Sequence, residues 1–359
     1  MRQRPGVVPG DGTAYDVTLS FPWRRVAIGL AVVGAAGVLA AGIGSVSIPP
    51  STVAEILASK VPGLGITFDG HASFDTILMQ LRLPRIVLAG IVGGALGLSG
   101  AAYQGLFRNP LADPYLIGVA SGAGLGATIV LVAGFQVAYL GISLLPAAAF
   151  VGAIAAVTVG YLVARRSEGL PLTTLILAGV AISFIASSMT TLLMIRAGPD
   201  LRAILSWLLG GLISAQWKHS VMILPYLLPS ALIMLTYARV LNVMQLREEH
   251  AKQMGVNVER AKLVLIVAAS LATAAAVAFT GPIGFVGLVA PHSVRLLWGA
   301  DYRSLLPMAA ILGAAFLILA DLVARTVVSP SELPVGVVTA FFGGPFFLFL
   351  LRYRRRVTM

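Results

Sequence analysis

Apolar residues run along this chain in long blocks, without the alternation of a half-buried strand or the single apolar stripe of a water-soluble helix. Ten stretches are almost free of charge, at 25–44, 85–106, 115–134, 143–164, 171–195, 219–240, 262–280, 284–298, 305–325 and 335–351. Most approach the roughly 20 residues that a helix needs to cross a hydrocarbon core of about 30 Å. Each is therefore predicted as a transmembrane helix. The stretch 284–298 is short for a span and joins the set only by the count of the others.

The chain is organised around residues 81–126. Residues 86–105 carry no charge and include seven glycines and serines, among them Gly93 and Gly97. Spaced four apart, those two make a small-xxx-small face that admits another helix closely in lipid. Pro84, between Arg82 and Arg85, stands where a first helical turn tolerates proline. The polar run Phe107-Arg108-Asn109-Pro110-Leu111-Ala112-Asp113-Pro114 then stops the helix. A hairpin is expected, its hinge at the aqueous boundary and its second arm at 115–134. The segment 45–81 is predicted as a surface loop bearing a short helix at 51–60, with Ser51 as its cap. Residues 201–214 are too short for a further span and read as an interfacial or re-entrant helix, with Trp207 and Trp217 at headgroup depth. The loop 242–262 reads as a short helix over 245–254, stopped by Gly255, with the next helix starting at 258–262. It is either a solvated loop of mixed charge or a docking platform. Residues 1–22 form a polar tail without a cleavage signal, and 23–359 form one transmembrane domain.

Composition supports the membrane reading and changes the meaning of the charge. The 359 residues are 58% hydrophobic and only 11% charged, with a mean hydropathy of +0.93. A soluble domain carries about 25% charged residues. The net charge of +11 would suggest nucleic acid in a soluble protein. Here, with the N-terminus placed in the cytoplasm, 18 of the 25 basic residues fall inside and seven outside. That is the positive-inside bias, so both termini are predicted to be cytoplasmic. No basic, aromatic-interleaved soluble segment exists to bind nucleic acid. The absence of cysteine excludes disulfides, thiol catalysis and cysteine metal sites.

Catalytic constellations are missing. Asp321 is the one acidic residue placed within a span, and Arg325 lies one turn further on, where the two can pair. One self-paired carboxylate is not a proton relay, which disfavours a proton-coupled transporter. No Ser/His, Asp/Asp or metal pair shares a helix face inside a span, which disfavours an intramembrane enzyme. The four histidines (His71, His219, His250 and His292) lack metal-site spacing. His71 and His219, on the outer side, are either solvated or contacts for a metal-chelate ligand. None of the four lysines sits in a phosphate-binding loop, so energy for transport would come from another chain.

The hinge 105–114 resembles a motif of the FecCD/BtuC-type permeases, the membrane subunits of type II ABC importers for vitamin B12, haem and ferric siderophores. So do Glu248-Glu249-His250-Ala251 through Gly255-Val256, Gly284-Phe285-Val286-Gly287-Leu288 with Pro291-His292, Ala320-Asp321 with Ala324-Arg325, and residues 332–340. The motifs occur in order between about 25 and 355. The resemblance implies an all-α polytopic fold of ten helices per subunit, paired with a second permease, here expected as a homodimer. It also implies two ATPase subunits carrying ATP and Mg, an extracytoplasmic binding protein, and a place in the inner or cytoplasmic membrane. No cofactor is implied on this chain. By the same resemblance Arg82, Arg85 and Arg325 would dock the binding protein. Gln245, Arg247, Glu248, Glu249, His250, Gly255 and Arg260 would couple to the ATPase. Asn109 and Leu111, opposite Leu172 and Thr173, would form the cytoplasmic gate. The substrate path would run along helices such as 86–105 and 175–193, with Gly93 and Gly97 on it. Arg196 and Arg202 at the outer mouth would either attract an anionic chelate or anchor the interface. The implied substrate is an iron chelate (ferric siderophore or haem), with cobalamin as the runner-up.

Overall fold

The computed structural model describes residues 23–63, 67–68, 70–134, 138–139, 142–167, 169–246 and 248–354. The N-terminal tail 1–22 and Arg247 lie outside the described residues. The helices are α1 (Trp23–Gly42), α2 (Pro50–Ser59), α3 (Ala72–Thr76), α4 (Leu83–Leu106), α5 (Val119–Val132), α6 (Leu144–Ala164) and α7 (Leu172–Ile195). There follow α8 (Leu201–Leu208), α9 (Trp217–Thr236), α10 (Ala238–Met244), α11 (Glu248–Gln253), α12 (Val258–Thr280), α13 (Val286–Trp298), α14 (Tyr302–Thr326) and α15 (Val335–Arg354). A two-residue antiparallel ladder, Ala138–Tyr139 with Ile142–Ser143, joins α5 to α6.

Every one of the ten predicted spans coincides with a helix, and among the described residues seven helices are long and apolar enough to cross a membrane. Among the rest, α5 and α13 are only 14 and 13 residues long. The helices segregate into two groups. α4 packs on α14, α12 and α13, and α1 lies on α14; α5 packs on α6 and α7, while α12 touches both groups.

Small residues make this packing possible. Between α4 and α14, a methyl group on Gly93 would overlap the carbonyl of Gly313, and one on Gly97 would overlap that of Ala309. In lipid there is no hydrophobic force between helices, so close backbone approach and van der Waals contact must hold them. Gly93 and Gly97 are therefore spent on a helix–helix contact. Both face α14, and α4 is buried along most of its length.

Three further expectations are corrected. The helix of α4 begins much earlier, because α3 runs into it through a π-turn at Ile77–Arg82, giving one apolar helix over Ala72–Leu106. Pro84 has no N–H to offer the preceding turn, and the wider π register, with Leu83 N–H donating to the Leu78 carbonyl, absorbs that loss. At α2 the cap is Pro49 with Pro50 in the first turn; Ser51 does not cap. Finally, α4 and α5 do not form a hairpin. Beyond the turn at 107–112 the chain climbs back along α4 through a 3₁₀ turn, Pro114–Ile117. The Pro114 ring there sits against Gly287, beside the carbonyl of Leu96. Leu96 is ten residues before the end of α4, about 15 Å up the helix axis. α5 is short because irregular backbone fills the rest of its span. Such backbone is tolerated at membrane depth where protein buries it and satisfies its polar groups. Tyr115 does both: its hydroxyl donates to the Ile283 carbonyl and accepts from the Ile283 N–H, each at 3.0 Å, just before α13 starts.

Candidate functional site

Two polar regions lie at opposite ends of the helices, and a third lines the outward face of α7. At the first, Asp321 on α14 is 1% exposed and lies between two arginines. Arg85 Nε donates to both its oxygens at 2.8 and 3.0 Å, and Arg325 Nε stands 3.3 Å away. Arg85 Nη1 also meets Glu332 at 2.7 Å. Arg325 Nη2 donates to the Ala40 carbonyl at 2.8 Å, which ties α1 into the cluster. Arg82 donates to the carbonyls of Ala41, Gly42 and Val46 at the end of α1. The expected i,i+4 pair of Asp321 and Arg325 is present. Arg82, Arg85 and Arg325, expected to face outward for docking, are buried at 4%, 7% and 8% exposure and engaged within the chain. A buried guanidinium must be paired where it sits.

The second region joins the hinge after α4 to α10, α11 and the start of α12. Arg108, at φ +50, closes the end of α4 and donates from Nε to the Met244 carbonyl at 2.6 Å. Gln245 donates to the carbonyls of Gly105 and Leu241 at 3.0 and 2.9 Å, so its amide points back into the permease. Asn109 accepts from the Leu111 N–H at 3.0 Å, an Asx turn that shapes the hinge. α11 follows the sequence reading closely: it ends before Gly255, whose φ is +81, and α12 starts with Asn257 accepting from the Arg260 N–H at 3.0 Å. Glu249, His250 and Arg260 are exposed, and Ala251 is buried beneath α11. A cavity of about 470 Å³ opens between these elements. Phe107, Arg108, Leu172, Thr173, Glu248 and Lys262 are among its walls. The structure thus brings Leu172 and Thr173 to the hinge, while Asn109 and Leu111 lie outside that lining.

The third region is a cavity of about 320 Å³ where the 3₁₀ turn meets α7. It is lined by Asp113, Tyr115, Val180, Ser183, Phe184 and Ser187, among others. Asp113 caps the turn by accepting from the Tyr115 N–H at 2.8 Å, and Ser121 donates to Ser183 at 3.0 Å. Arg196 and Arg202 are exposed beside the 3₁₀ turn Gly198–Asp200. His71 and His219 stay apart, each against its own phenylalanine: Phe74 at 5.7 Å and Phe279 at 5.4 Å. Among the described residues no group of three His, Asp or Glu side chains is placed to hold a metal.

Sequence reasoning missed Lys262, Glu332 and the Gln104–Arg295 contact that ties α4 to α13. Lys262 reads as one more cytoplasmic basic residue, and the only signal for its burial is the apolar run that begins at the next position.

The profile of the FecCD transport family matches residues 31–353. An uncharacterized ABC transporter permease protein of Bacillus subtilis, YvrB, is 41% identical over 91% of this chain and 93% of its own. The cobalamin import system permease protein BtuC of Halobacterium salinarum is 45% identical over 82% of this chain and 79% of its own. The hemin transport system permease protein HmuU of Yersinia pestis is 43% identical over 78% and 84%. Among solved structures, an inward-facing metal-chelate type ABC transporter superposes with a TM-score of 0.79 at 32% identity, covering 92% of this chain and 99% of that one.

Proposed function

The chain belongs to the FecCD transport family, and we propose that it is the membrane-spanning permease of a binding-protein-dependent ABC importer for a metal chelate. ATP would be hydrolysed on separate ATPase subunits at the face that carries α11. A binding protein would deliver substrate at the opposite face, and a second permease would complete the pathway. The positive-inside bias supports a cytoplasmic α11 and cytoplasmic termini in the inner or cytoplasmic membrane.

The observation that carries this reading is the similarity, at 43 and 45% identity, to permeases named for hemin and cobalamin import. An iron chelate, ferric siderophore or haem, is the first substrate class. Cobalamin is the second, favoured by the 45% relative. The mechanism uses the chain's own geometry: the exposed side of α11 receives the ATPase movement, and the ties from Met244, Gln245 and Glu248 carry it to the hinge and to the start of α7. The cavity beside Leu172 and Thr173 would be the gate.

The test is uptake into liposomes by the permease assembled with its ATPase and binding protein, loaded in turn with haemin, ferric siderophores and cyanocobalamin. ATP-dependent uptake of one class is expected. Uptake that instead follows an imposed proton or sodium gradient, with no ATPase partner copurifying, overturns the proposal.

A further inference from the structure

Lys262 sits in the first turns of α12 and is 3% exposed. An ammonium has three donors and no acceptor. Here three acceptors surround it, and they come from three separate pieces of chain. Glu259 Oε1, one turn back on α12, lies at 2.8 Å. Glu248 Oε1, at the start of α11, lies at 3.0 Å. The carbonyl of Leu170, in the loop between α6 and α7, lies at 3.2 Å. Leu170 is held a second time, because its N–H donates to Glu259 Oε2 at 2.7 Å. Its neighbour Pro171 is the cap of α7, directly before Leu172 and Thr173. The backbone that launches α7 is thus clamped on both its polar groups, and the clamp ends on the helix that faces outward.

We propose that Lys262 is a positioning residue that couples α11 to the start of α7. A displacement of α11 pulls on Glu248, and the ammonium passes that pull to the Leu170 carbonyl and so to Leu172 and Thr173. The ammonium is buried while its two carboxylates are 41% and 40% exposed at the cavity wall, so three acceptors together, and not exclusion of water, hold the segments in register. A separate connection through Met244 and Gln245, just before α11, leads to the hinge and not to α7. The role rests on the reading of α11 as the ATPase-facing helix. The contact itself does not.

The chain has no cysteine, so spin labels can be placed without background. Labels at Ser167→Cys, in the loop before Leu170, and Gln253→Cys, at the end of α11, are both on exposed positions. In the purified permease alone their distance distribution is narrow in the parent and shifts and broadens with Lys262→Met. Glu248→Gln, which keeps shape and an acceptor oxygen on a half-exposed side chain, broadens it less and guards against a folding defect. In the full importer, Lys262→Met keeps ATPase association and hydrolysis but lowers substrate moved per ATP about tenfold, a typical coupling effect. An unchanged distance distribution in Lys262→Met overturns the proposal whatever transport does. A loss of ATPase association together with transport also overturns it, by making Lys262 a scaffold residue only. A parent permease that binds no ATPase overturns the proposed function, and the coupling role with it.

Discussion

Asp321 lies between two arginines that are themselves buried, so its removal leaves Arg325 with no carboxylate partner and Arg85 with Glu332 alone. Breaking a buried pair in this way costs about 3–5 kcal/mol. Asp321→Ala is expected to lower the melting temperature of the purified permease sharply and to cut its yield. Glu332 meets the same Arg85, but its side chain is 34% exposed. Glu332→Gln should therefore cost no more than about 1 kcal/mol, as surface pairs do. Equal losses for the two variants would contradict the cluster geometry. A second residue-scale prediction concerns Asp301, the cap of α14. The Arg303 guanidinium, with help from the Asn242 amide, holds its carboxyl down to about 2 from an ordinary 3.8. Because the folded value lies below the unfolded one, the carboxylate stabilises the fold above the unfolded value, and that stabilisation is lost as pH falls through about 2. Asp301→Asn should melt below the parent at pH 7, and the gap should close as the pH falls through that window. A gap that stays constant with pH would remove the charge from the explanation.

At the scale of elements, the close seam between α4 and α14 makes a sharper demand than the hydropathy of either helix. Gly97→Leu drives a side chain into the Ala309 backbone, and overpacking of this kind costs about 1–3 kcal/mol even where side chains can yield. Gly34→Leu on α1, where an added Cβ meets nothing within 4 Å, is the matched control and should leave the melt almost unchanged. Thermal unfolding of both in one detergent decides the matter; similar losses would mean that the seam does not hold the two helices. The same seam explains what the sequence discloses. Apolar blocks announce helices, so ten helices were legible, as was the stop of α11 at Gly255. The four-residue spacing of Gly93 and Gly97 announces a close partner, yet not which helix supplies it, and so it could also be read as the wall of a path. The half-length of α5 was hidden because residues 115–118 are as apolar as the helix that follows; only their packing against mid-α4 makes them re-entrant. The burial of Arg82, Arg85, Arg325 and Lys262 was hidden for a related reason. A basic residue beside an apolar run looks the same whether it reaches for water or for carbonyls and carboxylates inside the protein.

For the whole molecule, the outward face of α7 separates a lipid contact from an interface with a second permease. Phe184, 71% exposed, is accompanied on that helix by exposed Ser187, Ser188 and Thr191. Hydrocarbon gives such hydroxyls no partner beyond their own helix, whereas an interface or a water-filled path can use them. The outward face of α9 has a different character, with Val221, Leu228 and Leu232 exposed along it. Two cavities also touch α7, one beside Leu172 and Thr173 and one beside Ser183 and Phe184. A homodimer joined along α7 therefore predicts that Phe184→Cys, in this cysteine-free chain, forms a cross-linked dimer in native membranes with a short bis-maleimide. Leu232→Cys on α9 should stay monomeric under the same treatment. If Leu232→Cys cross-links and Phe184→Cys does not, α7 faces lipid, and the gate at Leu172 and Thr173 would have no second copy to work against.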